Sequence, residues 1–183
     1  MEKNILIITG SARKQGNSAL LAEAFTKGAR EAGHEVMIFD SAANPVEGCI
    51  ACDTCWSKGK ACSFDDGFDT LSPLLEKADT LVLCGPLYWF TFTALQKAAI
   101  DKFYAYMVPQ CPNKLKLKEI LLLMCAEDTD PAAFAGPEAT YKSIVDYLKL
   151  TDKGSLLVPG VWAKGDIKKT EALAKAEQMG REI

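Results

Sequence analysis

The stretch NILIITGSARKQGNSALLAEAFTKGAREAG, residues 4–33, decides the fold. Asn4 to Thr9 is a nearly continuous run of apolar and β-branched residues, the pattern of a strand covered on both faces. A polar loop with two glycines follows. From Asn17 to Ala32, the residues Leu20, Leu21, Ala24, Phe25 and Ala29 recur at helical spacing, and Gly33 supplies a C-terminal stop. Strand, loop and helix in that order are the first half of a βαβ unit.

The same alternation repeats along the chain. Further strands are expected over Glu35 to Phe39, Thr80 to Cys84, Glu119 to Cys125 and Ser155 to Val161. Further helices are expected over Phe68 to Lys77, Ala94 to Tyr106, Ala139 to Leu148 and Lys168 to Arg181. Five strand–helix pairs predict an α/β fold with a central parallel sheet. For strand order 2-1-3-4-5, ligands bind in the crevice beyond the carboxyl ends of strands one and three. The loops after Thr9 and Cys84 are therefore the ones to read for chemistry. Two connections, residues 40 to 66 and 125 to 138, are too long for simple turns, and such loops in compact domains tend to carry function.

Length and composition narrow the classes. The 183 residues suit one domain spanning 1–183, and 49% apolar with 25% charged residues is ordinary for a globular protein. With 21 basic and 24 acidic side chains the formal charge is -3, so bulk electrostatics offers no hold on nucleic acid or an anionic membrane. Partners are expected to be small molecules or proteins. The first apolar run is far too short to cross a bilayer, and polar residues rather than a cleavage site follow it. Seven cysteines are an odd count, which argues for reduced thiols or a metal rather than a disulfide framework. The expected compartment is cytoplasmic.

The loop from Thr9 to Ser18 suits a phosphate. Gly10 and Gly16 let the backbone turn, Ser11 and Ser18 offer hydroxyl donors, and Asn17 is placed to cap the helix. The first-turn N–H groups point at an anion, and Arg13 adds a planar fork for phosphate oxygens. The loop lacks the Gly-Lys-Ser/Thr ending of a Walker loop and the Gly-x-Gly-x-x-Gly dinucleotide fingerprint, so nucleoside triphosphate hydrolysis is not expected.

Residues 10 to 18 resemble, without a gap, the Gly-Ser-x-Arg-x-x-Gly-Asn-Ser loop of the NADPH-dependent FMN reductases and iron-sulfur flavoproteins of the flavodoxin-like superfamily. Pro86-Leu87-Tyr88-Trp89 is similar to the Pro-aliphatic-Tyr-aromatic stretch that follows strand three in that family. Thr93 to Lys97, then Ile100-Asp101-Lys102, resemble its next helix, and Gly165-Asp166-Ile167 with the helix after it extends the likeness over nearly the whole chain. Two departures stand out: Phe90 replaces a glycine or serine common in relatives, and Ala126 to Asp130 lacks the glycines often found after strand four.

The resemblance implies a flavodoxin-like three-layer sandwich that binds FMN and takes electrons from NAD(P)H. It implies a cofactor site made of Ser11, Arg13, Gly16, Asn17 and Ser18, of Pro86, Leu87, Tyr88, Trp89 and Phe90, and of Ala126 and Glu127. It also implies a homodimer or homotetramer, because the flavin of relatives lies near a subunit interface. The residues themselves agree with an apolar slot: Leu87, Tyr88, Trp89, Phe90 and Phe92 put five large side chains beyond a strand end, where a core cannot absorb all of them. Capping the core or contacting another subunit would use the same side chains. No catalytic side chain is assigned. Hydride transfer from a nicotinamide to a flavin needs stacking, orientation and water exclusion rather than an obligatory acid or base, and the single histidine, His34, sits at a strand entry.

Cys49, Cys52, Cys55 and Cys62 have gaps of two, two and six residues. Two consecutive two-residue gaps resemble the ferredoxin run that holds a cubane, although the last gap and the missing proline differ. The string is also similar to the compact motif of iron-sulfur flavoproteins. A 4Fe-4S cluster on these four and free thiols near the flavin both stand open, while zinc is a poorer match because its structural sites pair two separated Cys-x2-Cys knuckles. Cys84 and Cys125 end apolar strands and are expected in the core; Cys111 is unassigned. Three functions follow: an NAD(P)H-dependent flavin oxidoreductase passing electrons to a small-molecule acceptor, an electron carrier in which the cluster serves a ferredoxin-like partner, or a flavin-free binding module.

Overall fold

The computed structural model describes residues 1–183. Its elements in chain order are β1 (Asn4–Thr9), α1 (Asn17–Glu31), β2 (Glu35–Asp40), α2 (Phe68–Lys77), β3 (Thr80–Pro86), α3 (Ala94–Asp101), β4 (Glu119–Cys125), α4 (Ala135–Leu148), β5 (Thr151–Val158) and α5 (Ala172–Arg181). Three short 3-10 segments, Lys102–Tyr106, Pro131–Phe134 and Asp166–Lys169, flank α3, α4 and α5. The strands form one parallel sheet in the order β2-β1-β3-β4-β5, as the alternation predicts.

Both faces of the sheet are covered, which explains the continuous apolar strands. Ile5, Ile7, Val82, Leu121 and Leu123 pack with Leu21 and Phe25 of α1 and Ala172 and Ala176 of α5. The alternate residues Leu6, Ile8, Leu81, Leu83, Ile120 and Leu122 pack on the opposite face, with Leu71 and Leu75 of α2, Ile100 of α3 and Tyr141 of α4. The two-residue period of a strand sorts one apolar run into two cores. On the first face, α1 and α5 pack backbone to backbone. A Cβ at Gly28 would strike the Glu177 carbonyl, and one at Gly180 would strike the Phe25 carbonyl. No helix is long and apolar enough to cross a membrane.

Several boundaries differ from the sequence reading. The last strand runs over Thr151–Val158, not Ser155 to Val161. Its polar first half, Thr151 to Gly154, pairs with β4 as an edge strand, where solvent accepts polar side chains, and the register shifts between Ile120 and Leu122. Helix α3 ends at Asp101 and tightens into a 3-10 turn through Tyr106, a common way to close a helix. Helix α4 begins at Ala135, not Ala139, because Pro137 falls in its first turn, where no donor is needed. Asp130 caps the segment before it, accepting from the Ala132 N–H at 2.9 Å. Helix α5 begins at Ala172, since Thr170 is extended and breaks the run from Lys168.

Candidate active site

The crevice beyond the carboxyl ends of β1, β3 and β4 is a cavity of about 570 Å³, within the range of small-molecule sites. All twelve residues that the sequence reading assigns to a cofactor line it: Ser11, Arg13, Gly16, Asn17, Ser18, Pro86, Leu87, Tyr88, Trp89, Phe90, Ala126 and Glu127. Four more join them: Cys125, Asp128, Val161 and Trp162. One end of the crevice is polar and basic, and the other is aromatic.

The polar end is built by the loop between β1 and α1. The Ser11 hydroxyl accepts the Arg13 N–H at 3.2 Å, and the Gly16 N–H bonds the Arg13 carbonyl at 3.0 Å, so the loop folds on itself. Arg13 is exposed, and its Nη1 reaches the Trp162 carbonyl at 3.4 Å. The first helical bond runs from the Leu20 N–H to the Gly16 carbonyl, which leaves the N–H groups of Asn17, Ser18 and Ala19 without partners in the chain. Those groups and the helix dipole make an anion seat.

Asn17 does not cap the helix. The N-cap residue is Gly16, and Asn17 is the first helical residue, with its side chain buried. Its Nδ2 donates to the carbonyls of Val161 at 3.3 Å and Ala163 at 3.0 Å, and its Oδ1 accepts the N–H groups of Gly165 at 3.0 Å and Ile167 at 3.3 Å. The amide's hydrogen-bonding capacity is used up by the chain itself. Only the backbone of Asn17 is free for an anion, and the side chain instead ties the 161–167 loop to the anion seat. The sequence reading missed that loop because it placed Val161 inside a strand. The signal was there: Gly160 and Gly165, both with positive φ, bracket the exposed Trp162.

The aromatic end is a tight turn. The Tyr88 and Thr91 backbones bond each other in both directions, at 3.1 and 3.0 Å, and Trp89 and Phe90 between them sit at φ 46° and 61°. Two consecutive left-handed residues define the turn that glycine and asparagine normally make. Strain of this kind persists only where the surroundings impose it. Here Leu87 N–H bonds the Cys125 carbonyl at 2.8 Å, and the Phe90 carbonyl lies against Gly136, where a Cβ would displace it. The turn therefore holds Tyr88, Trp89 and Phe90 out to solvent, with Trp89 92% exposed, while Phe92 drops into the core. Cys125 is both core and lining: burial pushes its thiol up to about 12, with Arg13 opposing, so it remains protonated.

The four clustered cysteines lie elsewhere, and their surroundings share no residue with the crevice. Cys49, Cys52, Cys55 and Cys62 all line one small cavity of about 70 Å³ between the loop after β2 and the 3-10 turn after α3. Ala51, Asp53 and Trp56 take left-handed φ between 53° and 64° to wind the loop around it. Trp56 pins the loop by donating from Nε1 to the Ala105 carbonyl at 2.7 Å and packing edge-on against Tyr106. Tyr104 reaches Asp53 at 3.3 Å. The Cys52 sulfur lies 3.0 Å from the Thr54 hydroxyl, a bond that holds its thiol below the usual range. Burial, then the other three thiols, pushes Cys55 up.

Beneath the loop, Lys102 and Asp66 form an ion pair with both side chains only 5% exposed. Asp66 also accepts the N–H groups of Glu47 and Phe68, each at 2.8 Å. Burial opposes both charges, and the pairing outweighs it, so Lys102 is raised and Asp66 lowered. No three His, Cys, Asp or Glu side chains are grouped so as to hold a metal ion. All four thiols nonetheless open on one shared volume.

Comparison with known proteins follows the same lines. A family model described as NADPH-dependent FMN reductase matches residues 3–153. An iron-sulfur flavoprotein of Archaeoglobus fulgidus is 34% identical over 99 residues, 54% of this chain and 44% of that protein. An iron-sulfur flavoprotein of Methanocaldococcus jannaschii is 30% identical over 98 residues, 54% of this chain and 50% of that one. The chain thus spans about half the length of the curated relatives it matches. Among solved structures, an NAD(P)H:quinone oxidoreductase from Methanothermobacter marburgensis superposes with a TM-score of 0.77 at 18% identity, covering 100% of this chain and 96% of that one. An azoreductase from Bacillus anthracis gives 0.68 at 19%, covering 99% and 100%. At these identities the structural likeness is one of fold, and the fold is flavodoxin-like.

Proposed function

Because the chain belongs to the NADPH-dependent FMN reductase family, whose model spans residues 3–153, we propose that the 570 Å³ crevice holds FMN and that the protein passes electrons from NAD(P)H to an acceptor through it. The observation that carries this reading is that one cavity joins an anion seat to an aromatic shelf. The unpartnered N–H groups of α1 and the Arg13 guanidinium suit a terminal phosphate, with two negative charges to satisfy. Pro86 to Phe90 and Trp162 offer a flat apolar slot for a ring system.

When bound, the flavin supplies an acceptor for the hydride that a reduced nicotinamide gives up, and a donor of those two electrons afterwards. The chain's own residues bind, orient and exclude water. The Ser11–Arg13 turn fixes one end, Gly136 and Leu87 fix the turn that carries Tyr88 to Phe90, and Asn17 holds the 161–167 loop across the mouth. The exposed rim of Tyr88, Trp89, Phe90 and Trp162 is where an aromatic acceptor, or a second copy of the chain, would approach. The decisive test is anaerobic mixing of the yellow protein with NADPH or NADH in a stopped-flow spectrometer. Bleaching of the flavin absorbance supports the reading, and an unchanged spectrum with both nucleotides refutes it. Equilibrium dialysis of the Ser11→Ala/Arg13→Ala double variant is expected to show FMN affinity reduced at least about tenfold, the loss of one charge-assisted contact.

A specific observation favours a second site in the same protein. All four cysteines of the 49–62 loop open on one cavity, and the two relatives cited above are iron-sulfur flavoproteins by name. We read this cavity as the seat of a 4Fe-4S cluster held by Cys49, Cys52, Cys55 and Cys62, which would let electrons leave one at a time toward a ferredoxin-like protein. Anaerobic purification with iron and acid-labile sulfide analysis tests it; about four of each per chain is expected, and none of either refutes it.

A further inference from the structure

We propose that Lys102 is a charge-positioning residue for the four-thiol cavity, its buried ammonium raising the reduction potential of the cluster held there. This rests on the reading of the cavity as a cluster site. Lys102 lines the cavity alongside Cys49, Cys52, Cys55 and Cys62, whereas its partner Asp66 does not. The ion pair is therefore a dipole with its cationic end at the thiols. Asp66 is held back by two backbone N–H groups, from Glu47 and Phe68, and Lys102 passes over the Phe68 ring, 5.8 Å from its centroid. Neither end can turn around without breaking these bonds.

The other charged groups on the cavity are Glu47 and Asp53. Both are exposed, so water and salt screen them, and Asp53 is partly occupied by the Tyr104 hydroxyl. Lys102 acts through protein, where a charge at the same distance counts several-fold more. A cluster with four thiolate ligands is an anion in both oxidation states. Taking up one electron from the reduced flavin moves no atom and makes the cavity more negative by one unit. A fixed cation favours the reduced form over the oxidised one, and a fixed anion does the opposite.

The test is the midpoint potential of the cluster, read by EPR-monitored titration of anaerobically purified holoprotein. Lys102→Met is expected to lower the equilibrium constant for electron uptake about tenfold, ~59 mV for a one-electron couple, and Lys102→Arg to restore most of it. Asp66→Asn leaves the ammonium unopposed and is expected to shift the potential upward. A purely structural role for the pair would move both single variants the same way. If Lys102→Met does not fold, because it strands a buried carboxylate, the Lys102→Met/Asp66→Asn double variant carries the expectation of a potential below wild type. A cluster potential unchanged by removal of Lys102, or moved in one direction by both single changes, overturns the proposal. Wild-type protein without iron or sulfide overturns the cluster reading itself, and the two failures are told apart by the metal analysis.

Discussion

Replacing Asn17 by alanine strips hydrogen bonds from Val161, Ala163, Gly165 and Ile167 at once. Buried groups left without partners carry their full desolvation cost, so Asn17→Ala is expected to destabilise the chain by about 2 kcal/mol or more in urea unfolding. Because the side chain makes no bond that a phosphate could use, the FMN affinity should fall through loosening of the 161–167 loop. Faster proteolysis or hydrogen exchange in that loop would show it. Phe90 makes the opposite case. Its φ of 61° costs a side-chain-bearing residue about 1–2 kcal/mol, and glycine avoids that while losing some unfolded-state entropy. Phe90→Gly should raise the unfolding free energy of the flavin-free chain by about 0.5–1 kcal/mol and weaken flavin retention, since the ring wall is lost. A variant that became less stable as well as less yellow would show that the aromatic is held by packing rather than imposed on the turn.

Helix α1 carries a glycine at its centre that propensity alone would replace. Alanine at Gly28 gains about 1 kcal/mol as a helix former, yet its Cβ would collide with the Glu177 carbonyl of α5. Backbone is a poor place to find slack, so overpacking of about 1–3 kcal/mol should win and Gly28→Ala should lower the melting temperature. A higher melting temperature would mean that α5 can shift away. Elements were legible in the sequence where burial on both faces made the signal continuous, as in β1, β3 and β4. They were not legible where structure is held by partners distant in sequence. Thr151 to Gly154 is a strand only because β4 lies beside it, and Pro137 belongs to a helix only because Asp130 and the 3-10 turn set up its first turn.

At the scale of the molecule, stability should respond to pH in two windows. Burial, then the charge of Lys3, holds His34 below its ordinary 6.5. The unfolded chain therefore takes this proton first, so stability is full above about pH 6.5 and declines as pH falls toward the folded value. His34→Gln should flatten that decline in denaturant midpoints as pH falls below about 6.5, and a slope unchanged in the variant would assign it elsewhere. Asp79, held low chiefly by the Asn4 N–H, gives the second: its contribution is present above the ordinary 3.8 and lost as pH falls through the lower folded value. The crevice was readable as a whole because its two main walls are short contiguous strings, residues 10–18 and 86–90. Its third wall, around Trp162, is fixed by tertiary hydrogen bonds, and the glycines at 160 and 165 mark only that a loop is there, not that it reaches the crevice. The side chain that secures this wall is the seventeenth residue, and its partners are the 161st to the 167th. On a ribosome, which releases the amino end first, the clasp proposed for the mononucleotide stays unfinished until residue 167 has emerged, so on that reading the pigment is captured after β1 and α1 have been made and does not guide their folding.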